Sequence, residues 1–321
     1  MDVNHFIVAA YTTQSGSCRD TTARSAPRES AEGRIMAAAD AARVLASSSR
    51  VATAGRAAML KWSHRVTIAS LDELALNLIT PRSPLYHAKP EDVPFEHLPY
   101  WAFLWPGGYA VSRYVMEKGA GRDAVRGKRV LDFGAGCGVC GLAALASGAT
   151  HVVANDIDAL SLEAVAVNAE AAGSTALRAS DVDERMYASS TSDLLVSNNA
   201  VVVLEQRNLV GVTCSSVPED RRSSWSIEDV DTILVGDMTY DEDATDDALV
   251  WLTELARLPT RSGAQRTILI GDPGRTFIGE HPLADRLTHV ARYALPPEVL
   301  EANSGYTHGD VFTLACNGPP N

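Results

Sequence analysis

From Arg126 onward, short apolar runs alternate with stretches of helical spacing. Strands are predicted at 129–133, 151–155 and 176–179, with helices over 139–147 and 159–172 between them. Runs of four or five apolar residues bounded by glycine or polar punctuation suit buried strands, and apolar positions recurring every three or four suit helices. The rhythm resumes with a strand from Thr232 to Val235, a helix from Asp243 to Arg257 and a strand from Thr267 to Ile270. A last helix from Leu283 to Arg292 and the apolar run Val311 to Ala315 follow. Strand then helix, repeated, is the mark of βαβ units, so the expectation is an α/β fold with a mostly parallel sheet and helices on both faces. Residues 182–228 break the rhythm with Ser-, Asp- and Asn-rich text and read as an insertion. Within them, Val201 to Leu204 also fits a strand of the sheet, which would raise the strand count by one.

Upstream the pattern changes. Residues 1–70 are rich in Ala, Ser, Thr and Arg with few large apolar side chains, the composition of a disordered extension. The domain is expected to span 71–321, opening with the short segment Asp72 to Ile79, stopped by Pro81. A proline-rich connector, Pro84 to Pro99, leads to an aromatic cluster and a Pro-Gly-Gly turn at Pro106–Gly108. A helix from Tyr109 to Lys118 follows. No acid stands between Asp40 and Asp72, while Arg43, Arg50, Arg56, Lys61 and Arg65 recur there, as in a mitochondrial transit segment. Asp2, Asp20, Glu29 and Glu32 count against that reading at the extreme N-terminus unless Met36 is the working start; the alternative is a plain tail.

Composition narrows the classes further. With 321 residues, 46% hydrophobic and 21% charged, the chain has material for a sizeable core. A net charge of −12 argues against general nucleic-acid binding, and no apolar run approaches the ~20 residues of a membrane span. Neither a nucleic acid nor a membrane is therefore expected as partner, and the chain is expected to be monomeric. Five scattered cysteines suggest a reducing compartment. Cys137 and Cys140 have the spacing of a redox pair or half a zinc site. With no second pair, they read instead as small residues at a tight turn.

Gly134, Gly136 and Gly138 alternate after the strand 129–133, removing Cβ atoms where the chain turns and letting backbone lie against a ligand. Gly136-Cys-Gly138-Val-Cys-Gly141 also satisfies the dinucleotide pattern G-x-G-x-x-G. Asp132, expected at the loop mouth, would repel a pyrophosphate but suit a methionyl amine and a sulfonium. Asp156 ends the next strand, where a carboxylate reaches ribose hydroxyls, and Asp181 follows the third strand, where a side chain can meet an adenine amine. Together these point to an adenosyl ligand. At the rim after the fourth strand, Asp237 and Tyr240 are three apart and can face one pocket, whereas Asp241, Glu242 and Asp243 read as the acidic first turn of a helix. Asp272 and Arg275, in Gly271-Asp-Pro-Gly-Arg275 after the fifth strand, are candidate substrate-binding residues on the same rim. Trp105 is a candidate for holding the cofactor.

The segments Pro99 to Gly108, Val130 to Gly138, Ala154 to Asp158, Gly236 to Asp243, Ile270 to Arg275 and Asn303-Ser-Gly305 together resemble the electron transfer flavoprotein β-subunit lysine methyltransferase family. The resemblance covers roughly Leu76 to Phe312. It implies a Rossmann-like seven-stranded sheet with its last strands antiparallel, S-adenosyl-L-methionine as cofactor and a place in the mitochondrial matrix. It also implies transfer of methyl groups to lysines of the electron transfer flavoprotein β subunit; Asp237 and Tyr240 are the candidate catalytic residues, expected to orient the amine and ease its deprotonation. The rival readings are a small-amine methyltransferase, a non-catalytic binding protein of the same fold and a nicotinamide-dependent oxidoreductase.

Overall fold

The structure is a computed structural model that describes residues 55–72, 74–89, 92–93, 95, 99–179, 201–213, 225–303 and 305–314. Its centre is an eight-stranded sheet. The strands are β3 (Arg129–Phe133), β4 (His151–Asn155), β5 (Thr175–Arg178), β6 (Val201–Glu205), β7 (Thr232–Gly236), β8 (Thr267–Asp272), β9 (Leu287–Ala294) and β10 (His308–Leu314). Their order is β5-β6-β4-β3-β7-β8-β10-β9, and a separate antiparallel hairpin is made by β1 (His64–Ile68) and β2 (Leu74–Leu78). The first six strands of the large sheet run parallel; β10 is antiparallel to both β8 and β9.

Side chains alternate between two cores, as strands covered on both faces require. Val130, Val152, Val202 and Leu234 point to one side. There they meet α2 (Pro106–Met116), α3 (Val139–Ala146) and α4 (Ala159–Ala171). Leu131, Val153, Val203 and Ile233 point to the other side, against Trp251 and Leu252 of α5 (Glu242–Arg257). Each such fully buried aliphatic side chain stabilises the fold by about 1.5–3 kcal/mol relative to exposure. The capping expected for α5 is present: the Asp241 carboxylate accepts from the Ala244 amide at 3.0 Å, Glu242 and Asp243 fill the first turn and Arg257 the last.

Four expectations are corrected. Residues 55–62 form a helix, α1, and with β1 they belong to the folded domain, so the boundary placed at residue 71 lies inside a hairpin. Met59 of α1 is fully buried with Trp101 and Phe103, and Arg56 pairs with Glu170 of α4. Val201–Glu205 is a strand of the sheet rather than part of an insertion, lying between β4 and the edge strand β5 and bringing the count to eight. The helix expected from Leu283 to Arg292 is mostly β9: its Leu and Val spacing suits a helix, but Leu287–Ala294 is paired along β10, and Thr288, Val290 and Tyr293 suit a strand. Finally, α2 begins at Pro106, so Pro-Gly-Gly is its first turn. There the bare glycines admit contact that side chains would block: a Cβ on Gly236 would lie 2.7 Å from Gly108 Cα.

Chain order runs outward from β3 to β4, then returns across it to β7, which makes β3 and β7 the switch point of the sheet. Phe133 is in register with Asn155 on one side and Val235 on the other, so Gly134, Asp156 and Asp237 emerge together at one end.

Candidate functional site

At that end a cavity of about 690 Å³ opens, large enough for a cofactor-sized molecule. Its walls include Gly134 and Gly136 of the loop after β3, Asp156 after β4, Asp237 and Tyr240 after β7, and Trp105 ahead of α2. These six expected residues, from four separate parts of the chain, are brought to one space.

All three loop glycines have positive φ, at 67°, 52° and 81°, a region costly for residues with a Cβ. They do different work. A Cβ on Gly136 would meet no protein atom, so this glycine leaves the cavity floor open, whereas one on Gly138 would press on Val165 at 3.1 Å, making that glycine a close-packing position under α4. Gly138 is buried and is not on the cavity wall.

Asp156 ties the loop to the next strand: its Oδ2 accepts from the Gly136 amide at 3.0 Å and its Oδ1 from the Asp158 amide at 2.9 Å. Burial pushes its carboxyl up to about 6, opposed by those two amides. Asp132 lies beneath the loop instead of at its mouth. It is 1% exposed, accepts from the Gly141 amide at 2.8 Å and is pushed by burial up to about 7. It therefore anchors the first turn of α3.

Asp237 is one of two described non-glycine residues with positive φ, at 59°, a conformation that Asp tolerates better than most. Its Oδ1 receives Arg275 Nε at 2.9 Å and Nη2 at 2.7 Å, and Oδ2 receives the Gly107 amide. Burial pushes its carboxyl up, and Arg275 and Gly107 oppose this. Arg275 also donates to the Tyr306 hydroxyl at 3.1 Å and lies over its ring. Asp272, fully buried, accepts from the Gly274 and Arg275 amides at 2.6 and 2.7 Å and from the Thr239 hydroxyl. Neither Asp272 nor Arg275 is among the residues lining this cavity; both brace its rim, Arg275 through Asp237 and Asp272 through Thr239.

Aromatic rings line the same cavity as Asp237. Tyr240 stacks on Tyr100 with centroids 6.5 Å apart and planes 18° apart, and Trp105 donates its Nε1 to the Tyr100 carbonyl at 2.9 Å. Burial pushes both tyrosine hydroxyls up, keeping them neutral donors. Ring faces beside a carboxylate favour a cationic group.

Asp181 lies outside the described residues. The position next to β4 belongs to β6, and the loop after it places Asn208 and Val210 on the cavity wall. Those two, with Tyr100, Asn155, Ile157 and Met238, were not foreseen. The available signal in the sequence was Ile157, an apolar residue directly after the strand-end Asp156, which the structure leaves 71% exposed. Cys137 and Cys140 are both buried and free, and no group able to hold a metal occurs among the described residues. No helix among them is long and apolar enough to cross a membrane.

The model of the ribosomal protein L11 methyltransferase family matches residues 120–209. The chain is 33% identical over 263 residues to the electron transfer flavoprotein beta subunit lysine methyltransferase of Xenopus laevis, covering 82% of this chain and 88% of that one. It is 33% identical over 241 residues to the Homo sapiens protein of the same name, covering 75% and 74%. A ribosomal protein L11 methyltransferase from Synechococcus sp. (strain RCC307) is 35% identical over 124 residues, 35% of this chain and 41% of that one.

Proposed function

Because the chain belongs to the electron transfer flavoprotein β-subunit lysine methyltransferase family, we propose that it methylates lysine side chains of that β subunit, using S-adenosyl-L-methionine. The observation that carries the reading is the convergence of the glycine loop, Asp156 and the Asp237 to Tyr240 turn on one cavity.

The residues present fit such a cofactor. Gly136 leaves open floor where a side chain would stand, and Asp156 offers a carboxylate fixed by two backbone amides. When bound, the cofactor supplies an electrophilic methyl group on a sulfonium. Asp156 would accept from ribose hydroxyls, and the Tyr100, Trp105 and Tyr240 rings would border the sulfonium and the incoming amine. A lysine ammonium, with an ordinary pKa of about 10.4, must lose its proton before its nitrogen can attack. Removal from water lowers that value, against the preference of the ring faces and the Asp237 carboxylate for a cation, and Asp237, held in place by Arg275 and Gly107, orients the nitrogen. The proton leaves to solvent. Catalysis here is chiefly alignment.

The mitochondrial matrix remains the proposed location. The acid-free, basic stretch supports it, although Arg56 and Arg65 serve the folded domain through Glu170 and the Ala171 carbonyl. A leader would have to end before residue 55.

The test combines the protein with recombinant electron transfer flavoprotein and methyl-labelled cofactor and locates the label by mass spectrometry. Label on β-subunit lysines is expected. Label on another protein, or only on small amines, would overturn the substrate assignment.

A further inference from the structure

Glu205 ends β6 with its side chain buried, a position where an aliphatic residue would avoid the desolvation cost of a carboxylate. Four donors converge on it. The Arg207 amide and Nε reach Oε1 at 3.0 and 2.9 Å, while Arg207 Nη2 and Trp225 Nε1 reach Oε2 at 2.8 and 3.0 Å. Arg207 also lies over the Trp225 ring. Such charge-assisted, bidentate pairing is both strong and directional.

The backbone that follows is tied as firmly. Asn155 Nδ2 donates to the carbonyls of Glu205 and Arg207, each at 2.8 Å, and Trp251 Nε1 donates to the Val212 carbonyl at 3.1 Å. Leu209 is buried in the core shared with α5. Between these ties the loop brings Asn208 and Val210 to the cavity wall, with the Asn208 Oδ1 held by the Val210 amide at 3.0 Å. Ile157 and Asp158 also line the cavity, and Gln206 of the β6 loop reaches the Ile157 carbonyl at 3.5 Å. This is the β6 side, away from Tyr240 in the strand order: apolar surface from Ile157 and Val210, edged by an amide.

We propose that Glu205 is the positioning residue of the cavity's purine end: by clamping Arg207 and Trp225 it holds Asn208 and Val210 where they select adenine over other bases. The inference rests on the adenosyl-cofactor reading above. An amide donor at Asn208 suits the acceptor N1 of adenine and opposes the N1–H of hypoxanthine, which gives the selectivity a direction.

The test measures, by calorimetry, affinities for S-adenosylhomocysteine and S-inosylhomocysteine in the wild type, Glu205→Leu and Glu205→Gln, with hydrogen exchange of amides 206–210. In Glu205→Leu, S-adenosylhomocysteine is expected to bind about tenfold more weakly, with S-inosylhomocysteine less affected, so the preference ratio falls. Exchange of the loop amides should quicken while that of Gly136 holds. Glu205→Gln, which keeps one acceptor oxygen, should fall between and covers the case in which the leucine variant does not fold. In kinetics, KM for the cofactor rises with kcat at saturation little moved. An unchanged preference ratio in a folded variant overturns the role of Glu205 alone. A wild type that binds no S-adenosylhomocysteine overturns the cofactor reading, and this inference with it.

Discussion

Replacing Arg275 by methionine should destabilise the protein by an amount that grows with pH. The Asp237 and Arg275 side chains are 3% and 9% exposed, so solvent screens their ion pair little. Removing one partner of such a pair typically costs about 3–5 kcal/mol, because the remaining charge is left buried. Asp237 has a partial escape, since burial already pushes its carboxyl up and protonation neutralises it. A carboxyl whose folded pKa exceeds its unfolded value contributes stability below the unfolded value, near 4, and loses it as pH rises through the folded one. Without Arg275 the folded value climbs further and that loss spans more of the pH range. The expected deficit is therefore about 3 kcal/mol at pH 8, a fall in Tm of about 6–12 °C for a domain of this size, and clearly less at pH 5. Thermal melts of wild type, R275M, Asp237→Asn and the double variant at both pH values make the measurement. The double variant should recover most of the loss, since asparagine keeps an acceptor for Gly107 without the charge. An R275M deficit equal at the two pH values, or a double variant whose loss is the sum of the singles, would refute the reasoning.

Two further outcomes are expected. Asp156, with its carboxyl pushed up to about 6, should make ligand-free stability fall as pH rises from about 4 to about 6; S-adenosylhomocysteine affinity should rise through the same range as the carboxylate forms. Calorimetry from pH 5 to 8 would show this, and a profile no flatter in Asp156→Asn would count against it. Met59→Ala should cost about 2–4 kcal/mol in urea unfolding, because Met59 is fully buried against Trp101 and Phe103; an unmoved midpoint would mean that α1 is not integral to the domain.

Local text was enough wherever local physics decided. The runs that became β3, β4 and β7 are apolar on both faces, and α5 carried its own cap and dipole charges, so these elements were legible within a residue or two. Residues 283–292 were not. Their spacing supports a helix, and only pairing with β10 makes most of them a strand. Val201–Glu205 was ambiguous for the same reason, since a strand inside polar text has no local evidence of its neighbours.

Among site residues, the sequence by itself determined which chemistry was at hand: glycines after a strand, an acid at the next strand end, Asp237 three before Tyr240. The roles depended on depth and on partners remote in sequence. Asp132 looks like a mouth residue in one dimension, yet sits under the loop with Gly141, and Arg275 is tied to Asp237 and Tyr306, partners 38 and 31 residues away. Asn208 became part of the wall because β6 lies beside β4. Sheet order and burial are long-range properties. A carboxylate's pKa, a loop's facing and the meeting of four chain segments in one cavity follow from them, and only the tertiary structure decides those.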